Sequence, residues 1–358
     1  MPLQATYQKY LLRFKFEAGT SRGSYTQKNT YFLKIWDTTH PTLQGIGEAA
    51  PLAKLSPDDR PDFENFLQHL CQQLNGLELQ PDVEFLLNLA ENFVPDDFPS
   101  VRFALETALL DWLNQGKRII FPSDFTKGKH AIRINGLIWM GKKDFMLTQI
   151  EEKIKQNFTC LKLKIGALDF EQELEILSHI RQHFDSQTIS IRLDANGAFQ
   201  PNEALAKLER LAQFDIHSIE QPIAPEQEES MRFLCQNSPI PIALDEELIG
   251  KTETMLRNEL LQYLKPAYII LKPTLLGGIQ ATKEWIQLAE NQGIGFWLTS
   301  ALEANIGLNA IAQLTATVPH QLPQGLGTGQ LYHNNIPSPL TLKSEFLYYD
   351  TSQPWGEI

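Results

Sequence analysis

The segment TCLKLKIG, residues 159–166, runs a short apolar stretch up to a closing lysine, Lys164. The same phrase recurs downstream. ISIRLD ends on Asp194, HSIE on Glu220, PIALD on Asp245, YIILK on Lys272 and GFWLTS on Ser300. These closing residues fall 25 to 30 positions apart, the length of one strand and one helix. A parallel strand with helices over both faces of its sheet is buried on both sides, so it reads as a continuous apolar run. A strand-plus-helix repeat of this length is what a (β/α)8-type TIM barrel writes into sequence. The fold class is therefore α/β, and the polar residues at the strand ends converge on one mouth.

Upstream of the repeat the rhythm changes. YLLRFKF, YFLKIW and GIGEA alternate with the two-residue period of half-buried strands and predict an antiparallel meander. GTSRGSYTQKN, residues 19–29, reads as a mobile loop between the first two strands. From about Pro57 to Gly116 the period is helical, clearest in PSVRFALETALLDWLNQG, where Ser100 is placed to cap and Gly116 to stop the helix. Strands followed by helices make this part α+β. The expected division is an α+β capping domain over 1–125, the barrel over 126–328, and a segment over 329–358 that returns to the cap.

A chain of 358 residues exceeds one ordinary hydrophobic core, which agrees with a barrel plus a smaller domain. A net charge of −12 argues against a nucleic-acid or anionic-membrane surface, because either needs a basic face. It leaves room for an anionic small-molecule substrate met by local positive charge. MPLQATYQKY lacks the blocks of a signal peptide and no apolar run is long enough to span a bilayer, so a cytoplasmic location is expected. Cys71, Cys160 and Cys235 are scattered, without CxxC spacing, and read as small hydrophobes.

The strand ends carry the chemistry. Lys162 and Lys164 are two apart, so on a strand both face the barrel interior. Two neighbouring ammonium groups lower each other's pKa, which suits one of them to act as a base. Asp194, Glu220 and Asp245 come from three successive strand ends, and three converging carboxylates are costly unless a cation joins them. An all-oxygen set suits one Mg2+, with Mn2+ as a substitute. Glu246 and Glu247 follow Asp245, and strand parity places Glu247 rather than Glu246 on its face. Asn196 is a candidate partner for Asp194. Lys272 closes the sixth strand, across from Lys164, where one lysine moves a proton and the other meets developing negative charge. Arg192 shares the face of Asp194 and is a candidate for an anionic substrate tail, or else a structural ion pair within the barrel.

These residues resemble the enolase superfamily, and within it the muconate-lactonizing subgroup. The likeness rests on KxK in LKLK, the acid series in RLDANGAF, IEQP and LDEE, and the lysine of ILKPTLLGG. It implies the (β/α)7β variant of the barrel, and a lysine base with Mg2+ supporting an enediolate, as is general in that superfamily. GIGEAAPL, PSVRFALETALLDW, INGLI and TSALEANIGL are further similar to the o-succinylbenzoate synthase family. That resemblance implies syn dehydration of 2-succinyl-6-hydroxy-2,4-cyclohexadiene-1-carboxylate to 2-succinylbenzoate in menaquinone biosynthesis. It casts Lys164 as the base, Lys272 as the stabilising cation, and Asp194, Glu220 and Asp245 as metal ligands. Lys162, Ser300 and the loop residues Ser21 and Arg22 become substrate contacts. The family often shows consecutive serines where this chain has Thr299, Ser300 and Ala301.

The alternatives keep the core and change the substrate: an N-succinylamino acid racemase, another epimerase or a cycloisomerase. QGLGTGQ lacks the Asp-x-Asp clamp that the resemblance implies for dipeptide epimerases. A Schiff-base aldolase would leave the three carboxylates unexplained. His179 and His183, four apart, read as a solvated helix face rather than a zinc site. GLGTGQ reads as a turn near the substrate rather than a dinucleotide loop.

Overall fold

Alternation carries the start of the chain into an antiparallel sheet of β1 (Leu3–Thr20), β2 (Gly23–Asp37) and β3 (Gly45–Ala49), in that order. The computed structural model describes residues 2–20, 23–319 and 321–358. The first two strands are longer than the sequence suggests. Thr20 pairs with Gly23, so the described residues of the stretch expected to be a mobile loop, 19–20 and 23–29, belong to β1 and β2. Its polar composition hides the support it gets from outside: Phe16 meets the edge of Trp139 at 5.8 Å and Gly19 bridges to Met140.

Three helices follow, α1 (Phe63–Leu74), α2 (Val83–Phe93) and α3 (Pro99–Leu113), and they cover the meander. Helix α3 lies directly on β3. A Cβ on Gly47 would sit 1.9 Å from the Ala104 carbonyl oxygen, and one on Gly45 2.1 Å from that of Ala108. The two glycines of GIGEA are thus what let helix and strand touch. Ser100 does not cap α3. Phe98 holds that position and Pro99 opens the helix, while Ser100 gives its backbone N–H and hydroxyl to Asp58 Oδ2 at 2.8 and 2.6 Å. Gly116 does adopt positive φ just beyond the helix end, as its reading requires.

After β4 (Ile132–Arg133) the repeat begins. It runs β5 (Gly136–Ile138), α4 (Lys143–Lys155), β6 (Cys160–Lys164), α5 (Phe170–His183), β7 (Ser190–Asp194), α6 (Pro201–Leu211), β8 (Ile216–Glu220), α7 (Glu228–Asn237) and β9 (Ile242–Leu244). It continues with α8 (Thr254–Leu264), β10 (Tyr268–Leu271), α9 (Pro273–Leu276), α10 (Gly278–Asn291), β11 (Gly295–Leu298) and α11 (Asn305–Thr315). Strands β5 to β11 form one curled parallel sheet in chain order, the core of an α/β barrel-like fold. The segment after α11 bonds to both of its edges. Asn135 N–H donates to Gln324 O at 3.0 Å, and Gly325 N–H to Leu298 O at 2.8 Å.

The end of the chain divides its contacts. Strands β12 (Leu340–Lys343) and β13 (Phe346–Tyr349) pair with each other, and β13 with β4 beside the barrel. Trp355 then packs under the Arg118 guanidinium, and Lys34 Nζ donates to Ile358 O at 2.8 Å, so the last residues touch the first part of the chain. Among the described residues no helix is long and apolar enough to cross a membrane.

Candidate active site

Register builds the site. Lys164 on β6 lies opposite Asp194 on β7, which lies opposite Glu220 on β8, so one charged layer crosses three strands at their carboxyl ends. Lys162, one inward-facing position earlier, reaches up into the same layer. Its Nζ stands 3.1 Å from Asp194 Oδ2 and 2.5 Å from Glu220 Oε2. Lys164 Nζ is 2.8 Å from the same Asp194 oxygen and donates to Asn196 Oδ1 at 2.9 Å. Lys272, where β10 gives way to α9, donates to Asp245 Oδ2. Asp194, Glu220 and Asp245 are all nearly solvent-free.

Opposite charges decide the electrostatics. Burial lowers the pKa of Lys162, but the carboxylates of Asp194, Glu220 and Asp245 outweigh it and raise the pKa overall. Burial likewise opposes Lys272, and Asp245 and Glu246 hold its pKa up. The lowering expected from the Lys162–Lys164 pairing is therefore overturned at Lys162 by the nearby acids. Burial works against ionised Asp194 too, yet Lys162, Lys164 and Lys272 bring its pKa well below the usual range. Burial pushes Glu220 up in spite of Lys162, with Asp194 and Asp245 adding to the rise.

Strand β9 stops at Leu244, just before Asp245, so parity stops there. The backbone turns into a short 3-10 turn over Glu246–Leu248. Glu246, not Glu247, faces the site, accepting from Asn196 Nδ2 at 3.1 Å. Glu247 points away to Gln221 Nε2, at 2.9 Å, and to the Glu226 N–H, at 3.1 Å. This reverses the expectation from strand alternation.

The charged floor opens into a cleft of about 700 Å3, partly open to solvent. Lys162, Lys164, Asp194, Asn196 and Lys272 form its polar side; Leu52, Leu55, Leu137 and Trp139 form an apolar wall. Thr299–Leu302 and the turn containing Gly325, Gly327 and Thr328 complete it, with Ser300 Oγ 2.6 Å from Thr328 Oγ1. GLGTGQ is thus at the cleft, and Ser300 lines it. Arg192 does not. Its guanidinium lies 3.9 Å from the Trp297 ring centroid and donates to Pro323 O at 2.7 Å, fully buried within the sheet. Lying two residues before Asp194 on β7, it belongs to a deeper layer of the interior, away from the cleft lining, and forms no ion pair among the described residues. Ser21 and Arg22 fall outside the described residues.

Sequence reasoning missed the apolar wall and Thr328. Trp139 follows a strand and could have been flagged as an aromatic at a strand end, but Leu52 and Leu55 look like any loop leucines.

A cation fits the donor set, although no metal-ready cluster is gathered as it stands. Among the described residues no group of three metal-binding side chains converges, because Lys162 sits between Asp194 and Glu220. Glu220 Oε1 is nevertheless buried with no hydrogen-bond partner, an acceptor left for a charge to satisfy.

Comparison with known proteins agrees with this geometry. The family model of the enolase C-terminal domain-like fold matches residues 146–351. The o-succinylbenzoate synthase of Desulfotalea psychrophila is 45% identical, over 96% of this chain and 98% of its own length. A crystal structure of MenC from the same organism superposes with a TM-score of 0.88 at 42% identity, covering 97% of this chain and 100% of that one. A dipeptide epimerase from Enterococcus faecalis, solved with Mg and the dipeptide L-Leu-L-Tyr, superposes at 0.83 with 20% identity and 97% coverage of both chains, a likeness of fold.

Proposed function

We propose, since the chain belongs to the enolase C-terminal domain-like family and stands among its o-succinylbenzoate synthases, that it dehydrates 2-succinyl-6-hydroxy-2,4-cyclohexadiene-1-carboxylate to 2-succinylbenzoate. The product places it in menaquinone biosynthesis as a lyase. The observation that carries the mechanism is that Lys164 and Lys272, four strand positions apart, line one cleft together with Asp194.

Lys164 Nζ takes the proton from the carbon that bears the ring carboxylate, and the electron pair moves into that carboxylate as an enediolate. Lys272, as an ammonium, lies against that developing charge. The enediolate collapses, the carbon–oxygen bond at the ring hydroxyl breaks, and Lys164 returns its proton to the departing group, so one water leaves for each ring made aromatic. Asp194, Glu220 and Asp245 would hold Mg2+, which supplies Lewis-acid charge to the substrate carboxylate; Mn2+ meets the same oxygen donors. The apolar wall of Leu52, Leu55, Leu137 and Trp139 suits the ring, and Ser300 with Thr328 suits the polar succinyl tail. Bonds from the 324–325 segment to both sheet edges support a closed barrel.

The test is loss of the diene absorbance with purified protein and Mg2+, beside Lys164→Ala. Turnover that depends on Lys164 is expected. A folded protein that leaves the diene intact but racemises N-succinylamino acids would overturn the dehydratase reading.

A further inference from the structure

The loop after β11 supplies one side of the cleft through Ser300, Ala301 and Leu302. No regular strand or helix holds its backbone. Leu302 has φ 66°, in the left-handed region that branched side chains avoid. A conformation of this kind persists only where neighbours over-determine it, and such positions cluster at ligand sites.

The neighbours are specific. Lys28, on β2 and 6% exposed, donates its ammonium to the carbonyl oxygens of Ala301 at 3.1 Å and Leu302 at 3.0 Å. Tyr332 Oη donates to the same Leu302 oxygen at 2.7 Å. Below the loop, Glu303 accepts from the Ala301 N–H at 2.8 Å. Lys28 therefore has a buried amino group whose hydrogen bonds go to two loop carbonyls, and it does not itself line the cleft. Nothing in the chemistry above uses it.

We infer that Lys28 is a positioning residue that holds Leu302 left-handed and so sets the shape of the cleft wall against which the substrate tail lies. The hairpin thereby governs substrate selection from behind the wall, without touching substrate. Its amino group is suited to this because it can serve two carbonyls at once, where an apolar side chain of that length would take the donor from the Ala301 oxygen and leave Tyr332 alone to serve the Leu302 oxygen.

The kinetic half of this inference rests on the proposed activity; the structural half does not. Lys28→Met is expected to raise KM for the diene about tenfold while kcat stays within about threefold, the pattern of lost uniform binding. Lys28→Arg, which keeps donors, is expected to recover most of the loss. A crystal structure of Lys28→Met is expected to show Leu302 out of the left-handed region. If Lys28→Met fails to fold, Tyr332→Phe removes one bond to the same carbonyl and is expected to raise KM by a smaller factor. An unmoved Leu302, or kcat and kcat/KM falling together with KM unchanged, overturns the inference. Should the wild-type protein ignore the diene altogether, the activity is wrong and the position of Leu302 still decides the role of Lys28.

Discussion

Lys164 and Asp194 occupy directly opposed positions on neighbouring parallel strands, and their side chains meet with Nζ 2.8 Å from Oδ2. The contact follows from register rather than from a loop conformation. The proposed base is therefore mounted on one barrel strand, and the acid it meets on the next.

This pair permits a separation of charge from proton transfer. Lys164→Arg keeps a cation for Asp194 but offers a guanidinium that does not release its proton in the working range. Steady-state turnover is expected to fall by about 10^3-fold or more, while the thermal unfolding midpoint stays close to wild type. Activity within about tenfold of wild type would show that the site needs only the charge.

Glu220 Oε1 gives a metal prediction that does not depend on turnover. Adding Mg2+ to chelator-treated protein is expected to raise the unfolding midpoint through binding to the native state, and to restore activity. In Glu220→Gln the thermal shift should largely vanish. An equal shift in both proteins would remove Glu220 from the ligand set.

Arg192 offers a check on which buried cations reach the substrate. Because its guanidinium stacks on Trp297 and does not line the cleft, Arg192→Lys should cost about 1–3 kcal/mol of stability and leave KM for the anionic substrate unchanged. A large rise in KM without loss of stability would return Arg192 to the substrate.

Glu106 predicts a pH dependence. It is buried in α3 and accepts from the N–H groups of Ile279 and Gln280 at the start of α10, and burial pushes it up from 4.5 to about 8. A pKa raised in the folded state means that the unfolded chain gives up its proton first as pH rises. The contribution is thus fully present below 4.5 and is lost as pH climbs through about 8. Glu106→Gln should flatten that part of the profile by an amount on the order of a few kcal/mol. Asp111, held up to about 7, and Asp58, held up to about 6, keep some slope. Denaturant titrations at both ends of the range measure it; an unaltered slope would absolve Glu106.

The sequence showed the barrel strands and their closing residues because each end joins an apolar run to one ionisable or hydroxyl group, a contrast that survives in one dimension. Lys164, Asp194 and Lys272 come together on that basis. Other features depend on what another part of the chain brings. The hairpin beyond Gly19 looks like a loop until Met140 is placed beside Gly19. Glu246 replaces Glu247 because β9 stops at Leu244, one residue before alternation would have mattered. Lys28 is an unremarked lysine in a polar stretch, and only the fold puts two carbonyls at its tip.

Glu48 has a consequence beyond its own neighbourhood. From β3 it accepts the N–H groups of Ala304 and Gly307, at 2.7 and 2.8 Å, where α11 begins. The first turn of a barrel helix is thus completed by a carboxylate that arrives more than 250 residues earlier in the chain. Recombining the opening sheet of one relative with the barrel of another would uncap that helix unless the acid and its two amide partners travel together. The opening sheet and the barrel are thus locked together through one buried carboxylate, and any grafting of a new specificity onto this scaffold has to keep that contact whole.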